Sequence, residues 1–338
     1  MRAVMPVIPR INIRLDTDWR APPLTADVWR AAAAHGDTWT VFQELHWVRS
    51  WWDVYGRGKL LIVSAWSDRS MIAVAPLFID GGMAFFVGSG GSDYLDFIGD
   101  AMLPGVVKAI LDSVLERVPG LLGFRFYHVP DTSRTGGRLR EIATQLNLNC
   151  VDEGELAAPV LDLGPNGDAG LAAAQRKSLV RHERAFRRAG MLSVRHLRSA
   201  AEIQSRLDAF FDQHERRWQA TGHPSLFRDP AHRAFYRRLT EGADESGWLR
   251  FTSVEFEGRP IAFHFGFSHR GTYLWYKPSY EINLARRSPG EVLLRQLLLA
   301  AVQEETRVFD FGLGDEAFKH RFANRVPVVR TWGLYPRY

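Results

Sequence analysis

A short segment joins two guanidinium groups to residues that favour a helix start: Arg286, Arg287, Ser288, Pro289, Gly290 and Glu291, followed by the apolar run VLLRQLLLAAV. Ser288 is a favoured N-cap, Pro289 suits the first helical position, and Glu291 would complete a capping box. A helix N-terminus also offers unpaired N–H groups and a positive dipole end, and arginine binds phosphate through two hydrogen bonds. Gly290 has no side chain that would keep a pyrophosphate away. The pattern indicates either a capped helix start or an anion site, where Glu291 would repel the anion unless the cap engages it.

A second segment concentrates positive charge. Between Gln175 and Arg198 eight Lys or Arg accompany one Glu, a local charge of +7 in a chain of net charge +5. Four of these cations share one helical face through spacings of 4, 3 and 4: Lys177, Arg181, Arg184 and Arg188. This face is either solvated helix surface or an electropositive rim for an anionic acceptor. Because the charge is local, the chain does not have the pattern of a DNA-binding protein.

The segment from Arg286 resembles the pyrophosphate loop of the GNAT acyltransferase superfamily, in which acyl-CoA lies along a splayed pair of strands. Other stretches resemble the CelD-type (BcsL-like) acetyltransferases of bacterial polysaccharide and cell-envelope loci, which are related to the Fem-type peptidoglycan aminoacyltransferases. They are RKSLVR from Arg176, HERRW from His214, Ser288-Pro289-Gly290 and FDFGLGDEAFKHRF from Phe309. The resemblance covers residues 170–325. It implies acetyl-CoA or another acyl-CoA as donor, an amino sugar, glycan precursor or similar small metabolite as acceptor, and direct N- or O-transfer in a ternary complex.

Acyl transfer needs a base for the nucleophile's proton and a group that stabilises the tetrahedral oxyanion. His264 lies in the alternating strand IAFHFGF beside Ala262 and Gly266, so that it either faces a cleft or is hydrogen-bonded in the core. Asp310 ends the strand that follows the helix from Pro289, and ligands gather at the carboxyl ends of strands. Asp310 is therefore a candidate base, or a residue that orients His264, unless it only binds the backbone of the next turn.

The resemblance also implies that Lys319 lies near the transfer centre, at a phosphate or at the oxyanion. The alternative for Lys319 is a surface cation paired with Asp315 or Glu316. Three residues at the end of the strand before the donor loop are candidates for binding the substrate: Tyr276, Lys277 and Tyr280. Either tyrosine could protonate the leaving thiolate.

The two halves of the chain repeat one pattern, and the matches keep their order. At an offset of 189 residues the matched pairs are Ser64 with Ser253, Ile72 with Ile261, Ala73 with Ala262, and Phe78 with Phe267. At an offset of 185 they are Pro104-Gly105 with Pro289-Gly290, Val107 with Val292, Phe124 with Phe309, and Phe126 with Phe311. Each copy is predicted to contain aromatic-rich helices, three short strands, a helix from the Pro-Gly and a strand reached by a crossover. In the second copy these three strands are predicted at 248–256, 260–268 and 272–280.

The repeat predicts an α/β fold with mixed sheets, in tandem GNAT-like domains over 1–163 and 168–338. The turn-rich cluster from Gly164 to Asp168 is the expected boundary between them. The first copy has the sequence LPGV from Leu103 where the second has its arginines. We therefore expect only the second copy to bind a cofactor.

The composition, 46% hydrophobic and 24% charged, is that of a globular chain of 338 residues. One cysteine, Cys150, excludes an intramolecular disulfide and fits a buried inert thiol in a reducing cytoplasm. We expect no signal peptide at the N-terminus, no transmembrane segment and no metal site, because none of their patterns occurs. Two alternatives stay open: a Fem-like transferase that uses aminoacyl-tRNA, and a catalytically silent docking subunit of a polysaccharide synthesis complex.

Overall fold

The computed structural model describes residues 11–21, 24–219, 222 and 224–337. The expectation about a signal peptide concerns the N-terminal residues, of which 1–10 lie outside this range. The chain divides into two compact units, one formed by Met1–Leu156 with Pro327–Tyr338 and the other by Ala157–Val326. Among the helices of the described residues, none is both long enough and apolar enough to cross a membrane.

The first unit is built on a mixed sheet in the strand order β1-β2-β3-β4-β6-β14-β7, with β5 paired to β3. Its elements are β1 (Ile11–Asp16), α1 (Ala26–Ala33), α2 (Leu45–Tyr55), β2 (Lys59–Ser67), β3 (Ser70–Asp80), β4 (Met83–Phe86), β5 (Ile98–Gly99), α3 (Val106–Arg117), β6 (Gly123–Pro130), α4 (Thr135–Ala143), β7 (Leu148–Ala157) and, much later in the sequence, β14 (Val328–Pro336). Cys150 in β7 is half-buried beside the core rather than buried. Burial raises the pKa of its thiol, which disfavours the reactive thiolate.

The second unit is built on a mixed sheet in the order β8-β13-β12-β11-β10-β9. Its elements are β8 (Val160–Asp162), α5 (Asp168–Ala174), α6 (Lys177–Ala189), β9 (Leu192–Leu197), α7 (Ala200–Gln219), α8 (Pro230–Glu241), α9 (Ala243–Ser246), β10 (Leu249–Phe256), β11 (Arg259–His269), β12 (Thr272–Tyr280), α10 (Pro289–Gln303), β13 (Val308–Asp310) and α11 (Ala317–His320). The three strands predicted for this copy are confirmed to within one residue. Glu257 and Gly258 both take positive φ in the tight turn between β10 and β11.

The two units repeat one topology, which confirms the tandem α/β fold predicted from the internal repeat. In each sheet four antiparallel strands lead to a parallel pair, β4 with β6 and β12 with β13. Helices α3 and α10 make the corresponding crossovers. Each begins after a residue in the left-handed conformation, Gly105 at φ 84° and Ser288 at φ 56°.

The units do not divide where the sequence suggested, because each sheet takes a strand from beyond the expected boundary. Strand β14, expected in the second domain, pairs antiparallel with β6 in the first sheet. Strand β8, expected at the end of the first domain, pairs antiparallel with β13 in the second sheet. The predicted limits of 1–163 and 168–338 are therefore corrected to the two units above.

Alternating side chains along β11 divide the second unit into two apolar layers. Phe263, Phe265 and Phe267 point to one side, where they meet Phe210 of α7 and Tyr236 of α8. On the other side α10 packs against the sheet and against α5 and α6. Helix α10 therefore lies on the sheet face to which His264 points.

Candidate functional site

Strand β12 parts from β13 halfway along its length. The two strands pair only over Thr272–Leu274, with Leu274 opposite Asp310. Beyond this point no strand among the described residues pairs with that edge of β12. On its other side β12 has a bulge, because Phe265 pairs with Lys277 but Phe267 pairs with Leu274. The strands therefore form a fork that starts at the bulge.

His264 lies inside the sheet next to this bulge and is fully buried. Its Nε2 accepts a hydrogen bond from the backbone N–H of Tyr276 at 3.3 Å, and the Leu274 carbonyl also faces the imidazole. The buried Nδ1 has no hydrogen-bond partner among the described residues. The ring stacks against Trp275 at 5.5 Å. Burial lowers the pKa of His264 to about 3, so that the imidazole is neutral at physiological pH. Of the two roles expected for His264, the contacts are those of the hydrogen-bonded core residue.

Asp310 and Lys319 both bind the turn that follows β13. Asp310 is buried and its Oδ1 accepts a hydrogen bond from the N–H of Gly312 at 2.8 Å. The ammonium of Lys319 donates to the Leu313 carbonyl at 2.6 Å and lies 2.9 Å from the carboxylate of Glu316. Lys319 thus pairs with Glu316, as one alternative foresaw, but its side chain is buried rather than on the surface.

The start of α10 differs from the capping box that the sequence suggests. Pro289 takes the first helical position as expected, but the side chain of Ser288 makes no capping hydrogen bond. Ser288 takes φ 56° and ψ 55°, outside the extended conformation of an N-cap with a capping side chain. The backbone enters the helix from a 3-10 turn over Ile282–Arg287, which imposes this conformation on Ser288. The expected capping box is therefore wrong.

Glu291, which makes no cap, faces the imidazole of His182 and the guanidinium of Arg321. Its carboxylate lies 3.4 Å from His182 of α6 and 3.4 Å from Arg321, which follows α11. Gly290 lies beside the ring of Tyr280, and an added Cβ would come within 3.2 Å of it. The helix start therefore lies beside the last residue of β12.

The two arginines before α10 have different surroundings. Arg286 is exposed, whereas the guanidinium of Arg287 lies over the rings of Phe186 at 4.2 Å and Phe256 at 5.2 Å. No acidic partner is recorded for Arg287 among the described residues. A cation–π contact of this kind keeps an arginine in place while its N–H groups stay available.

Helix α6 shows the single basic face that its spacing predicted. All four cations, Lys177, Arg181, Arg184 and Arg188, are exposed. The guanidinium of Arg181 approaches the His182 ring at 3.5 Å, and His182 in turn contacts Glu291. The basic face therefore lies next to the start of α10.

A cluster at the end of α7 was missed as a set of interacting groups, although HERRW was noted as a motif. The half-buried guanidinium of Arg217 lies over the Tyr280 ring at 4.4 Å and donates to the Pro278 carbonyl at 2.8 Å. Burial lowers the pKa of Arg217. The ammonium of Lys277 lies over the Tyr276 ring at 4.1 Å. The signal for this cluster is the position of Arg217 one helical turn after the buried His214, beside the predicted end of β12.

His214 anchors the same end of α7. Its Nε2 accepts from the Trp218 indole at 2.9 Å, which leaves Nδ1 to donate to the Ser225 hydroxyl at 2.8 Å. Burial first, and then the charges of Arg217 and Lys277, lower the pKa of His214 to about 3. Because both cations act on one imidazole, they lie at one place between α7 and β12.

The groups that surround the fork are therefore basic, aromatic and carboxylate side chains of the second unit. Across the described residues, His, Cys, Asp and Glu form no group of three that could hold a metal ion. Such an arrangement can bind an anionic ligand along β12 and at the start of α10, and it places one carboxylate, Asp310, where β12 and β13 part.

Comparison with known proteins gives one family match and several matches of fold. Residues 173–320 match the family model described as "Acetyltransferase (GNAT) domain". No curated protein matches the chain in sequence. The solved structure of FemX matches with a TM-score of 0.69 at 11% identity, over 93% of this chain and 96% of that one.

Two further structures match over most of the chain. A conserved protein of unknown function from Bacteroides thetaiotaomicron VPI-5482 has a TM-score of 0.60 at 13% identity, over 96% of this chain and 100% of its own. The structure of L-PGS from Bacillus licheniformis has a TM-score of 0.52 at 14% identity, over 86% and 90%. At these identities the likeness concerns the fold.

Proposed function

Because residues 173–320 form a GNAT-type acyltransferase domain, we propose that the chain transfers an acyl group, acetyl in the first place, from acyl-CoA to an amine or hydroxyl. The transfer takes place directly in a ternary complex in the cytoplasm. The acceptor is an amino sugar, a glycan or cell-envelope precursor, or a similar small metabolite. The observation that carries the proposal is the fork beside a basic helix start, described above.

The donor lies along the free edge of β12, with its pyrophosphate at the start of α10. Beyond Leu274 no strand of the described residues pairs with that edge of β12, so that an extended ligand can lie along it. Arg287 and the N–H of Gly290 bind the pyrophosphate, since Pro289 has no N–H and the N–H groups of Glu291 and Val292 donate to the Ser288 carbonyl. The guanidinium of Arg321 lies 3.4 Å from Glu291, so that the charge of this carboxylate is partly balanced at this position.

Asp310 serves as the base, because it stands where β12 and β13 part. The nucleophile attacks the thioester carbon, its proton passes to Asp310, and the thiolate of CoA leaves with a proton from Tyr276 or Tyr280. Lys319 contributes by fixing the turn that Asp310 binds, through its hydrogen bond to Leu313. Each proton transfer of this kind contributes roughly 10²–10⁴ in rate.

The acceptor carries a negative charge. Arg217 and Lys277 lie together near the end of β12, and Arg217 has no carboxylate partner among the described residues. A half-buried cation without a counter-ion is unfavourable, and an anionic acceptor would supply one. The exposed face of α6 adds a field that attracts such an acceptor.

The test of the donor site is calorimetric titration of the protein with acetyl-CoA and longer acyl-CoAs. We expect binding in the micromolar range, weakened by about tenfold, or roughly 1.4 kcal/mol, in Arg287→Ala. Arg30→Ala removes an exposed arginine of the first unit and is the matched control, which should bind as the wild type does. A chain that binds no acyl-CoA would contradict the proposal and favour an aminoacyl-tRNA donor, which RNase treatment of an activity assay detects.

The test of catalysis is turnover with a panel of anionic amino sugars and glycan precursors, followed as free CoA thiol. We expect Asp310→Asn to lower kcat while acetyl-CoA still binds. Binding of acetyl-CoA without turnover on any amine or hydroxyl would instead support the silent docking subunit.

A further inference from the structure

The bulge of β12 has an unusual backbone partner. Where the register shifts, Trp275 and Tyr276 together stand opposite the single residue Gly266. A bulge of this kind removes peptide groups from the ladder, and buried peptide groups without partners are costly. Here the imidazole of His264 accepts a hydrogen bond from one of them, the Tyr276 N–H, and also faces the carbonyl of Leu274, which pairs with Phe267 beside the bulge. A side chain of β11 thus replaces the ladder at the bulge.

Gly266 makes room for this arrangement. A Cβ added at Gly266 would overlap the imidazole of His264 and would lie 2.5 Å from the Leu274 carbonyl oxygen. The φ of Gly266 is not in the left-handed region, so that the glycine is needed for space rather than for its backbone conformation. His264 and Gly266 therefore form a pair, in which the histidine occupies the volume that the glycine leaves.

The location of the His264–Gly266 pair connects it to the fork. Leu274 both faces the imidazole and is the last residue of β12 that pairs with β13, opposite Asp310. Any change in the path of β12 at Leu274 would therefore move the edge on which the proposed donor lies. The ring cannot reach solvent, since it is fully buried between Trp275 and the sheet.

We propose that His264 is a positioning residue that holds the bulge of β12 in place through its hydrogen bond with the Tyr276 N–H and its packing against Leu274, so that the free edge of β12 is preformed for the donor. This role rests on the proposed function, because the donor edge is part of it. His264 itself exchanges no proton with the substrates.

The experiment compares His264→Gln with His264→Asn. The Gln amide reaches as far from the backbone as Nε2, whereas the Asn amide reaches only as far as Nδ1. Each variant is first checked for folding by urea denaturation. Hydrogen–deuterium exchange of the peptide 272–280 is then measured without ligand, with the peptide 249–256 of β10 as internal control.

We expect His264→Gln to keep wild-type exchange in 272–280 and His264→Asn to accelerate it by roughly tenfold, as the loss of about 1.4 kcal/mol implies. The same order should hold for acetyl-CoA. In His264→Gln the Kd and the donor KM should stay within about twofold of the wild type, and in His264→Asn both should rise by about tenfold. The kcat should be nearly unchanged in both variants. Exchange in 272–280 and donor affinity that match the wild type in both variants would overturn the proposal. A fall of kcat by roughly 10²–10⁴ in both, with exchange unchanged, would overturn it in favour of a catalytic base.

Gly266→Ala tests the His264–Gly266 pair by changing the glycine. It decides whether His264 holds the bulge if the His264 variants do not fold. Its Cβ should displace the imidazole and accelerate exchange in 272–280, and unchanged exchange there would contradict the proposal. If the wild-type protein binds no acyl-CoA, the proposed function fails, whereas the exchange measurements, which need no donor, still decide whether His264 holds the bulge.

Discussion

Two buried histidines of the second unit hold different elements of the fold in place. His214 and His264 are both neutral and enclosed, yet one holds a helix end through Ser225 and the other holds a strand bulge. Neither contacts a carboxylate that would favour its charged form among the hydrogen bonds described above. Their contribution is therefore to hold backbone and loop, and it depends on their staying neutral.

Acid should destabilise the fold through these two residues. Their folded-state pKa of about 3 lies below the ordinary 6.5, so the unfolded chain binds protons first as the pH falls. The stability that they provide is present above pH 6.5 and is lost as the pH falls from 6.5 towards 3. Between pH 7.5 and 5.5 each should lower the free energy of unfolding by about 1.4 kcal/mol.

Urea denaturation at the two pH values measures this loss. In His214→Gln the difference between pH 7.5 and 5.5 should be smaller than in the wild type by about 1.4 kcal/mol. His35→Gln replaces an exposed histidine and serves as control, with the wild-type difference. An unchanged difference in His214→Gln would show that this imidazole is not held neutral.

At this scale the sequence predicts which residues matter better than it predicts what they do. Alternation in IAFHFGF placed His264 on the correct face of β11, but its partners depend on a bulge in a neighbouring strand that alternation cannot reveal. The capping box failed for a similar reason, because the φ of Ser288 depends on the preceding 3-10 turn. Local spacing determines the face of a side chain, and tertiary structure determines its partner.

Helices α6 and α10 are joined by one buried carboxylate. Glu183 of α6 accepts hydrogen bonds from Arg295 at 2.5 Å and Gln296 at 2.8 Å, both on α10, and from Arg187 at 2.8 Å. Burial opposes ionisation, but the hydrogen bonds and charges of Arg187 and Arg295 outweigh it and lower the pKa of Glu183. This pairing fixes the basic helix against the helix whose start is the proposed donor site.

Removing this carboxylate should weaken the contact between α6 and α10 and lower the stability of the fold. Glu183→Ala leaves the largely buried Arg295 without its acid and should lower the free energy of unfolding by about 3 kcal/mol. Arg187→Ala removes an exposed partner of the same carboxylate and should cost less than about 1 kcal/mol. Urea denaturation at pH 7.5 compares the two, and a loss in Glu183→Ala no larger than in Arg187→Ala would contradict this reading of the contact.

The elements themselves were predictable because hydrophobic period and turn residues are local signals. The offset of 189 between the copies placed β3 and β11 at matching positions, and the Glu257-Gly258 turn marked the hairpin. Glu183 was visible only as one acid in a basic run. Its partners on α10 are more than 100 residues away, and no local pattern joins them.

The whole molecule differs from two domains in series, because β14 completes the first sheet. It lies between β6 and β7 and buries Val329, Trp332 and Leu334. Strand pairing of this kind has no sequence signal beyond a short alternating run. The repeat therefore predicted two copies of one fold but assigned the exchanged strands to the wrong copies.

Deletion of residues 327–338 should consequently damage the unit that is distant in sequence. The three buried side chains of β14 contribute about 2 kcal/mol each, a large part of the 5–15 kcal/mol by which a domain is stable. Limited proteolysis with mass spectrometry should show rapid cleavage within 11–156 and continued protection of 157–326. The undeleted chain is the control, and equal protection of both units after loss of β14 would refute the assignment.

The late position of β14 in the sequence also determines the order in which the two units can complete folding during translation. About 170 residues separate the end of β7 from the start of β14, which a ribosome translates in roughly 10–30 s at about 5–20 residues per second. Throughout that interval β6 and β7 have an open slot between them, with unpaired backbone edges of the kind that aggregate. The second unit, whose extra strand β8 is made before the rest of its sheet, can close as soon as β13 emerges. The half of the molecule translated first is therefore the half that finishes folding last.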